Sequence, residues 1–320
     1  MKKKILMFLI MAMLATSLCG CANEKATVTT TVYAVKYLIE QLADEKVDVE
    51  YISSDEIIQR ATIVEDYDEI LQKTTVFFYI DELEPYLDIY PDILQNYDMT
   101  IVNLASLSAI YDFKRYTTIK VGDESVLKED VYYDSTLFDH VDTYKKDPFI
   151  WLDPIAMSSM AATIKDWLCE YYPEDTLTFE NRFKDLQQTF VRMDAEFQSL
   201  KEISDIKLVT VTASFGNWQK LYGVEVYPLI LSKYGVLPTD EQLAFIEQQI
   251  KANNVKYIVY DDTITDEDML NLYQKVKDDL GLKEIDLSSL SRLSENDIEK
   301  DKNYITIMYE NLTALENAFK

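Results

Sequence analysis

The chain offers few side chains that could act as nucleophiles, general bases or metal ligands. It has 320 residues but one histidine, His140, and three cysteines. One histidine cannot build a zinc site of several imidazoles, and a Ser-His-Asp triad would have to use His140 itself. No motif marks a catalytic pair among the 57 acidic residues, and there is no glycine-rich phosphate loop or Gly-x-Ser-x-Gly elbow. These absences favour a binding protein over an enzyme.

The densest acidic cluster, residues 261–268, could in principle hold a hard cation such as calcium. An EF-hand loop that begins at Asp261 needs glycine at its sixth position and glutamate at its twelfth, where the chain has Asp266 and Leu272. The cluster is better explained as the end of a strand followed by the acidic first turn of a helix, where the helix dipole favours negative charge. His140 with Asp139 and Asp142 could hold a metal weakly, but in the acidic, tyrosine-rich segment 111–146 it is better explained as a histidine of a solvated loop.

The N-terminus carries an export signal. Lysines at positions 2–4 precede an apolar run over 5–15, which is too short to remain as a membrane-spanning helix. The following Leu18, Gly20 and Cys21 resemble the lipobox of bacterial lipoproteins. We therefore expect cleavage after Gly20 and a lipid on Cys21 that anchors the chain to the cell membrane, on its extracytoplasmic face. An ordinary signal peptide cleaved elsewhere is the alternative.

Composition limits the partners. The formal net charge is −26, which would repel the phosphates of a nucleic acid, so no nucleic-acid partner is expected. Hydrophobic residues make up 48% of the chain, enough to exclude a disordered protein. The length allows one large or two ordinary domains, each able to bury a core.

Strand-like and helix-like segments alternate on both sides of one long helical stripe. Apolar residues recur at spacings of three and four from Phe179 to Leu200, which predicts a helix over about 174–203 that packs along both lobes; a coiled-coil partner is the alternative. Alternating strands and helices predict parallel sheets, so the expected fold is α/β, with two lobes bridged by one long helix. The predicted strands are 27–32, 47–51, 76–80 and 99–102 before the helix, and 207–211, 224–227, 255–260 and 284–287 after it. The predicted organisation is a signal peptide at 1–20, a tether at 21–26, an N-terminal lobe at 27–153, helices including the linker at 154–204 and a C-terminal lobe at 205–320.

Four motifs in order along the chain resemble those of the extracytoplasmic solute-binding lipoproteins of zinc and manganese ABC transporters. Residues Asp147–Pro154 resemble that family's Asp-Pro-His-x-Trp-Leu-Asp-Pro signature, and Leu83–Leu87 its Leu-Glu-Pro-Trp-Leu. Val209–Gly216 are similar to its Val-Thr-x-His-Asp-Ala-Phe-Gly, and Asn254–Ile258 to its Asn-Val-Lys strand entry. The resemblance implies two α/β lobes bridged by a rigid helix, an ABC permease as partner, and zinc or manganese as the bound ion.

The metal ligands of that family are all replaced here. Transferred through the motifs, the four ligand positions fall at Gln59, Phe149, Thr212 and Ser288. A phenyl ring has no lone pair, and neutral amides and hydroxyls are weak zinc ligands compared with imidazole or carboxylate. The resemblance therefore implies a solute-binding protein with lost or altered metal specificity and no assured cofactor.

The cleft between the lobes is the expected binding site. Polar and aromatic residues near the four replaced positions would suit a small organic solute through stacking and hydrogen bonds, although Phe149 and Trp218 equally fit a hydrophobic core. A surface lipoprotein that acts in macromolecular interaction or adhesion is the alternative function. The further cleft-lining candidates are Trp151, Ser214, Asn217, Trp218 and Asp261.

Overall fold

The computed structural model describes most of the chain after the predicted export signal. The described residues are 25–54, 57–81, 83–84, 87, 92–108, 111–113, 115–122, 124–130 and 135–320. The predicted signal peptide, Cys21 and parts of the motif 83–87 and of the segment 111–146 lie outside them. Within the described ranges, no helix combines the length and apolar character needed to cross a membrane.

The first sheet consists of four parallel strands in the order β2-β1-β3-β4. β1 is central because its β-branched residues pack on both faces; Val28, for example, is fully buried and pairs in register with Val49 and Val76. The strands and their helices are β1 (Ala26–Thr30), α1 (Tyr33–Ala43), β2 (Val47–Tyr51), α2 (Tyr67–Lys73), β3 (Thr74–Tyr79) and β4 (Thr100–Asn103).

A hairpin follows the first sheet, β5 (Arg115–Val121) with β6 (Glu124–Asp130), antiparallel. Gly122 lies in its connection at a φ of 69°, a backbone conformation that suits glycine. No strand was predicted from the sequence in this part of segment 111–146. Charged and hydroxyl residues interrupt the apolar alternation in this part of the sequence, so the period-two signal was weak.

The second sheet repeats the strand order of the first. Its parallel strands β7 to β10 run in the order β10-β9-β7-β8, so in both lobes the first strand lies between the second and the third. All eight strands predicted from the sequence are present, each within two residues of its expected ends. The elements are β7 (Lys207–Thr210), α5 (Gly216–Tyr222), β8 (Glu225–Pro228), α6 (Asp240–Ala252), β9 (Tyr257–Tyr260), α7 (Glu267–Leu280), β10 (Lys283–Asp286), α8 (Glu295–Glu299) and α9 (Tyr304–Phe319).

Two helices, α3 (Pro154–Tyr171) and α4 (Thr176–Phe197), connect the sheets. Short 3-10 turns over 173–175 and 198–202 extend α4, which accounts for the longer helix predicted at 174–203. The 22 residues of α4 span roughly 33 Å at 1.5 Å per residue. The apolar stripe is buried against both lobes, so the prediction of packing along them is confirmed and a coiled-coil partner is not required. Its buried members are Phe179, Leu186, Phe190, Met193, Phe197 and Leu200.

Polar contacts fix α4 to each lobe as well. The Arg182 guanidinium donates to the carbonyl of Leu42 at the end of α1 (3.0 Å). Near the other end, the hydroxyl of Tyr222 in α5 donates to a carboxylate oxygen of Asp194 (3.0 Å). The long helix therefore contacts a helix of each lobe.

The segment that leads into α3 begins the connection between the lobes. Asp153 caps the helix because its Oδ1 accepts a hydrogen bond from the Ile155 amide (2.8 Å), and Pro154 takes the first helical position, where no amide hydrogen is needed. The Asp-Pro pair of the sequence motif is thus explained as a helix start.

Four hydrogen bonds join residues 149–152 to the C-terminal part of the chain. The Trp151 indole donates to the Ser289 carbonyl (2.8 Å). The other three bonds run from Asn217 Nδ2 to the Phe149 carbonyl (3.2 Å), from Trp218 Nε1 to the Leu152 carbonyl (2.8 Å) and from the Tyr304 hydroxyl to the Trp151 carbonyl (2.5 Å). Buried carbonyls of one segment are thus satisfied by side chains that belong to α5 and α9.

We expect Tyr304→Phe to lower the free energy of unfolding by about 1–3 kcal/mol, because it leaves the buried Trp151 carbonyl without its donor. Tyr309→Phe is the matched control on the same helix, since the Tyr309 hydroxyl donates only a long hydrogen bond of 3.4 Å to the exposed carboxylate of Glu196. Urea unfolding of both variants measures the difference. Equal stability of the two variants would contradict the role given to the Tyr304 hydroxyl.

Candidate functional site

Most residues that the sequence proposed for the site follow the carboxyl end of a strand. Gln59 lies in the segment after β2, Thr212 after β7, Asp261 directly after β9 and Ser288 after β10. In parallel sheets ligands bind at these edges, because the connecting segments diverge there. Residues that follow the carboxyl ends of strands in both sheets could line one site between the lobes. The contacts that each of them makes differ.

Phe149 is part of an aromatic core. Its side chain is fully buried, and its ring packs edge-on against Tyr144 at 6.0 Å and Trp151 at 5.3 Å between centroids. The two indoles proposed for the cleft are also fully buried, and each donates to a backbone carbonyl. Phe149, Trp151 and Trp218 therefore serve packing between the lobes; a role in solute contact remains a prediction.

The segment after β7 is held by its own hydroxyl groups. Thr212 Oγ1 and Ser214 Oγ lie 3.0 Å apart, and Thr210 Oγ1 donates to the Thr212 carbonyl (2.7 Å). Asn217 uses its amide nitrogen on the Phe149 carbonyl, whereas its Oδ1 is buried without a hydrogen-bond partner. This segment supplies hydroxyls and an amide, which suit polar organic groups better than a zinc ion.

The segment after β10 is fixed by Asn311 of α9. The Asn311 side chain bonds both the amide and the carbonyl of Ser288, at 2.9 Å each, and the Ser288 hydroxyl accepts from the Leu290 amide (3.2 Å). The backbone and the hydroxyl of Ser288 therefore make hydrogen bonds to nearby residues of the fold.

Asp261 is a buried carboxylate with many partners. Its Oδ1 accepts from the amide (3.1 Å) and hydroxyl (2.7 Å) of Thr263, and its Oδ2 from the Ser289 amide (3.1 Å). Burial raises its pKa, and these hydrogen bonds oppose part of that shift. Further along, Asp266 caps α7 through the Met269 amide (3.0 Å), so the predicted strand end and acidic helix start are confirmed.

The turn that carries Gln59 reaches across to the second lobe. Gln59 is buried, and its neighbour Ile57 packs in the same hydrophobic cluster as Val209 of β7. Arg60 lies 3.6 Å from a carboxylate oxygen of Asp266. This part of the first lobe is thus in contact with the second, which places the two sets of strand ends together.

The residues at the four positions transferred from the motifs are a poor set of ligands for zinc. They offer one amide, two hydroxyls and a buried phenyl ring, whereas zinc requires imidazole, thiolate or carboxylate ligands in tetrahedral arrangement. In the part of the chain that the structure describes, no three His, Cys, Asp or Glu side chains are grouped so that they could hold a metal ion.

A cavity of about 460 Å³ was not predicted from the sequence; Ile58, next to Gln59, and Ser291, three residues after Ser288, are among its lining residues. It is lined by α1, the segment after β2 and the segment after β10, and it contains the carboxyl of Glu84, which is 2% exposed. Burial raises the pKa of this carboxyl from an ordinary 4.5 to about 8. None of the nine site candidates lines the cavity. An acid within the apolar motif 83–87 was the signal that could have drawn attention to it.

Two parallel sheets of identical strand order, one bridging helix and strand ends that meet between the sheets define a two-lobed solute-binding protein. The chain belongs to the family of periplasmic zinc-uptake complex component A, ZnuA, whose model matches residues 28–318. This family provides the substrate-binding component of zinc-uptake ABC transporters. The family resemblance and the fold inferred from the motifs are confirmed.

Individual relatives agree with this assignment. The zinc-binding lipoprotein AdcA of Streptococcus pneumoniae is 24% identical over 329 residues, covering 98% of this chain and 60% of AdcA. The structure of its Zn(II)-bound ZnuA-like domain superposes with a TM-score of 0.66 at 21% identity, over 92% of this chain and 99% of that domain. The periplasmic zinc-binding protein TroA of Treponema pallidum gives 0.71 at 16% identity, over 92% and 99%. The chain thus spans about 60% of the AdcA length, and the structural likeness shows a shared fold.

We expect Glu84→Gln to remove a pH dependence of stability. The unfolded carboxyl loses its proton near pH 4.5 and the folded one near pH 8, so wild-type stability falls as pH rises through this window, by roughly 1.4 kcal/mol per unit of pKa difference. The variant should therefore match the wild type near pH 4.5 and exceed it by a few kcal/mol above pH 8.

Chemical denaturation across this pH range, with the exposed Glu299→Gln as control, measures the effect. If the free energies of unfolding of the wild type and of Glu84→Gln differ by the same amount at every pH, the shifted pKa is contradicted.

Proposed function

We propose that the protein is a lipid-anchored, extracytoplasmic solute-binding component of an ABC importer whose metal specificity is lost or altered. It acts by binding and not by catalysis. The observation that carries the proposal is the occupation of the family's ligand position by Phe149, a fully buried ring between two other aromatic rings. Metal binding there would require a side chain that this core does not contain.

The other three positions support the same proposal. Thr212 and Ser288 are hydrogen-bonded within their own segments, and Gln59 carries a neutral amide. The free energy gained from such ligands would not offset the removal of the hydration shell of a divalent cation. The named relatives are zinc-binding proteins, and for this chain we propose a different solute.

The wild-type protein should show no stoichiometric, submicromolar zinc isotherm after chelator treatment, because the four positions provide no strong ligand. The quadruple variant Gln59→His, Phe149→His, Thr212→His and Ser288→Asp should gain a zinc-dependent rise in melting temperature, since three imidazoles and a carboxylate satisfy tetrahedral zinc. Calorimetry and thermal unfolding are the measurements.

A triple variant that keeps Phe149 is the matched control, and it should bind zinc more weakly because one imidazole is missing. Tight zinc binding by the wild type would refute the altered specificity. A folded quadruple variant without a zinc response would show that the four positions do not converge as aligned.

Membrane attachment and the transporter partner form the second test. Cys21 is the proposed lipid attachment site, so the tagged protein should remain in the membrane fraction and co-purify with an ABC permease and its ATPase. Cys21→Ala should release the protein from the membrane or leave an unprocessed precursor. Unchanged membrane retention of Cys21→Ala would contradict the anchor, and repeated recovery without any permease would favour a surface-interaction role instead.

A further inference from the structure

The cavity that contains the Glu84 carboxyl has the size of a site for a small organic molecule. Its volume is about 460 Å³, within the usual range for such sites. It opens between α1 and the segments that follow β2 and β10, so both lobes contribute to its wall. Gln59, Phe149, Thr212 and Ser288 do not line it, and the cavity is therefore separate from the positions of the metal ligands.

Two buried polar side chains face this cavity without hydrogen-bond partners. Both carboxyl oxygens of Glu84 and the hydroxyl of Thr31 are enclosed, and none makes a hydrogen bond of normal geometry with the described residues. The two groups are close enough for the Thr31 hydroxyl to oppose part of the rise in the Glu84 pKa. An unpaired buried carboxyl is unfavourable, because it loses its hydration without compensation. A ligand that brings hydrogen-bond donors or positive charge would relieve this cost.

The cations at the cavity already have partners, so they do not neutralise Glu84. Burial and the nearby Thr31 hydroxyl, rather than any basic side chain, dominate the environment of the Glu84 carboxyl. The cations' partners are Glu40 for Lys36 (3.6 Å), Asp297 (3.2 Å) and Glu310 (2.6 Å) for Lys302, and the Thr263 carbonyl for Arg292 (2.9 Å).

Tyrosine rings form much of the remaining wall. Tyr33, Tyr37 and Tyr51 line the cavity, and the Lys36 ammonium already lies 5.2 Å from the centroid of the Tyr51 ring. Aromatic faces attract cations through their quadrupole, so this wall is suited to positive charge and to apolar carbon atoms. The net charge of −26 further favours a cationic solute over an anionic one.

We infer that this cavity binds a small organic molecule carrying a protonated amine, with the ammonium paired to Glu84 and Thr31 and the carbon skeleton against the tyrosine rings. The inference rests on the proposed solute-binding function and names its ligand class. A bare metal ion is disfavoured because the cavity is far larger than the ion and has only two carboxyls among its described lining residues, Glu84 and Glu40, of which Glu40 is already paired with Lys36. A carboxylate ligand would face the unpaired Glu84 directly.

Three probes that share a phenyl ring test the charge requirement: phenethylamine, phenethyl alcohol and phenylacetate. Calorimetry is performed in phosphate, because Tris is itself an amine. We expect phenethylamine to bind, and the alcohol and the carboxylate to bind at least tenfold more weakly. Butylamine, which lacks the ring, should bind more weakly than phenethylamine but more tightly than butanol.

Glu84→Gln should weaken phenethylamine binding more than tenfold, whereas the exposed Glu299→Gln should leave it unchanged. Because Glu84→Gln could alter folding, Thr31→Val provides a second variant with nearly the same shape, and it should weaken binding severalfold. Equal binding of amine and alcohol, no binding of either amine, or full affinity in both Glu84→Gln and Thr31→Val would overturn the inference.

Co-purification with the permease separates this inference from the proposed function. Permease association without amine binding would overturn the ligand class and leave the transport role intact. Amine binding without any permease would retain the site and contradict the transporter assignment.

Discussion

The structure depends on the burial of one short backbone segment, residues 149–152, between the two lobes. Buried carbonyls must find donors, and here the carbonyls of Phe149, Trp151 and Leu152 each accept a hydrogen bond from a side chain of α5 or α9. The segment also donates one hydrogen bond itself, from the Trp151 indole to the Ser289 carbonyl. Separating the lobes would leave several polar groups unpaired at once, so the arrangement of the strand ends follows from this segment.

The aromatic side chains of the same segment have a consequence for ligand binding. Phe149 and Trp151 fill the space near the position where related proteins are expected to place a metal ligand, and their rings contact each other. Tyr304 extends this packing through its stacked contact with Tyr37 of α1 (5.5 Å between centroids). A hydrophobic core thus runs through the boundary between the lobes, while the open volume lies to one side, next to α1.

The sequence predicted the fold well and the site less well. Each of the eight core strands has β-branched or alternating apolar residues, and the stripe of α4 has a clear helical period, so local pattern was sufficient for these elements. The hairpin β5–β6 was missed because its alternation is weak. The Glu84 cavity was missed for a different reason: burial of one carboxyl depends on the segments after β1, β2 and β10, which are distant in sequence and meet only in the fold.

Two buried carboxyls show that hydrogen bonding, and not burial alone, distinguishes a carboxyl that stabilises the fold from one that can bind a ligand. Asp261 and Glu84 are both almost inaccessible, and burial raises the pKa of each. Asp261 accepts hydrogen bonds from Thr263 and Ser289, which hold the segments after β9 and β10 together. The Glu84 carboxyl accepts no hydrogen bond of normal geometry from the described residues, although it borders a cavity large enough for a solute. A satisfied carboxyl contributes to the fold it sits in, whereas an unsatisfied one lowers stability unless a ligand completes it. Glu84, the carboxyl that lowers the stability of the protein without ligand, is therefore the one that can pair with a solute.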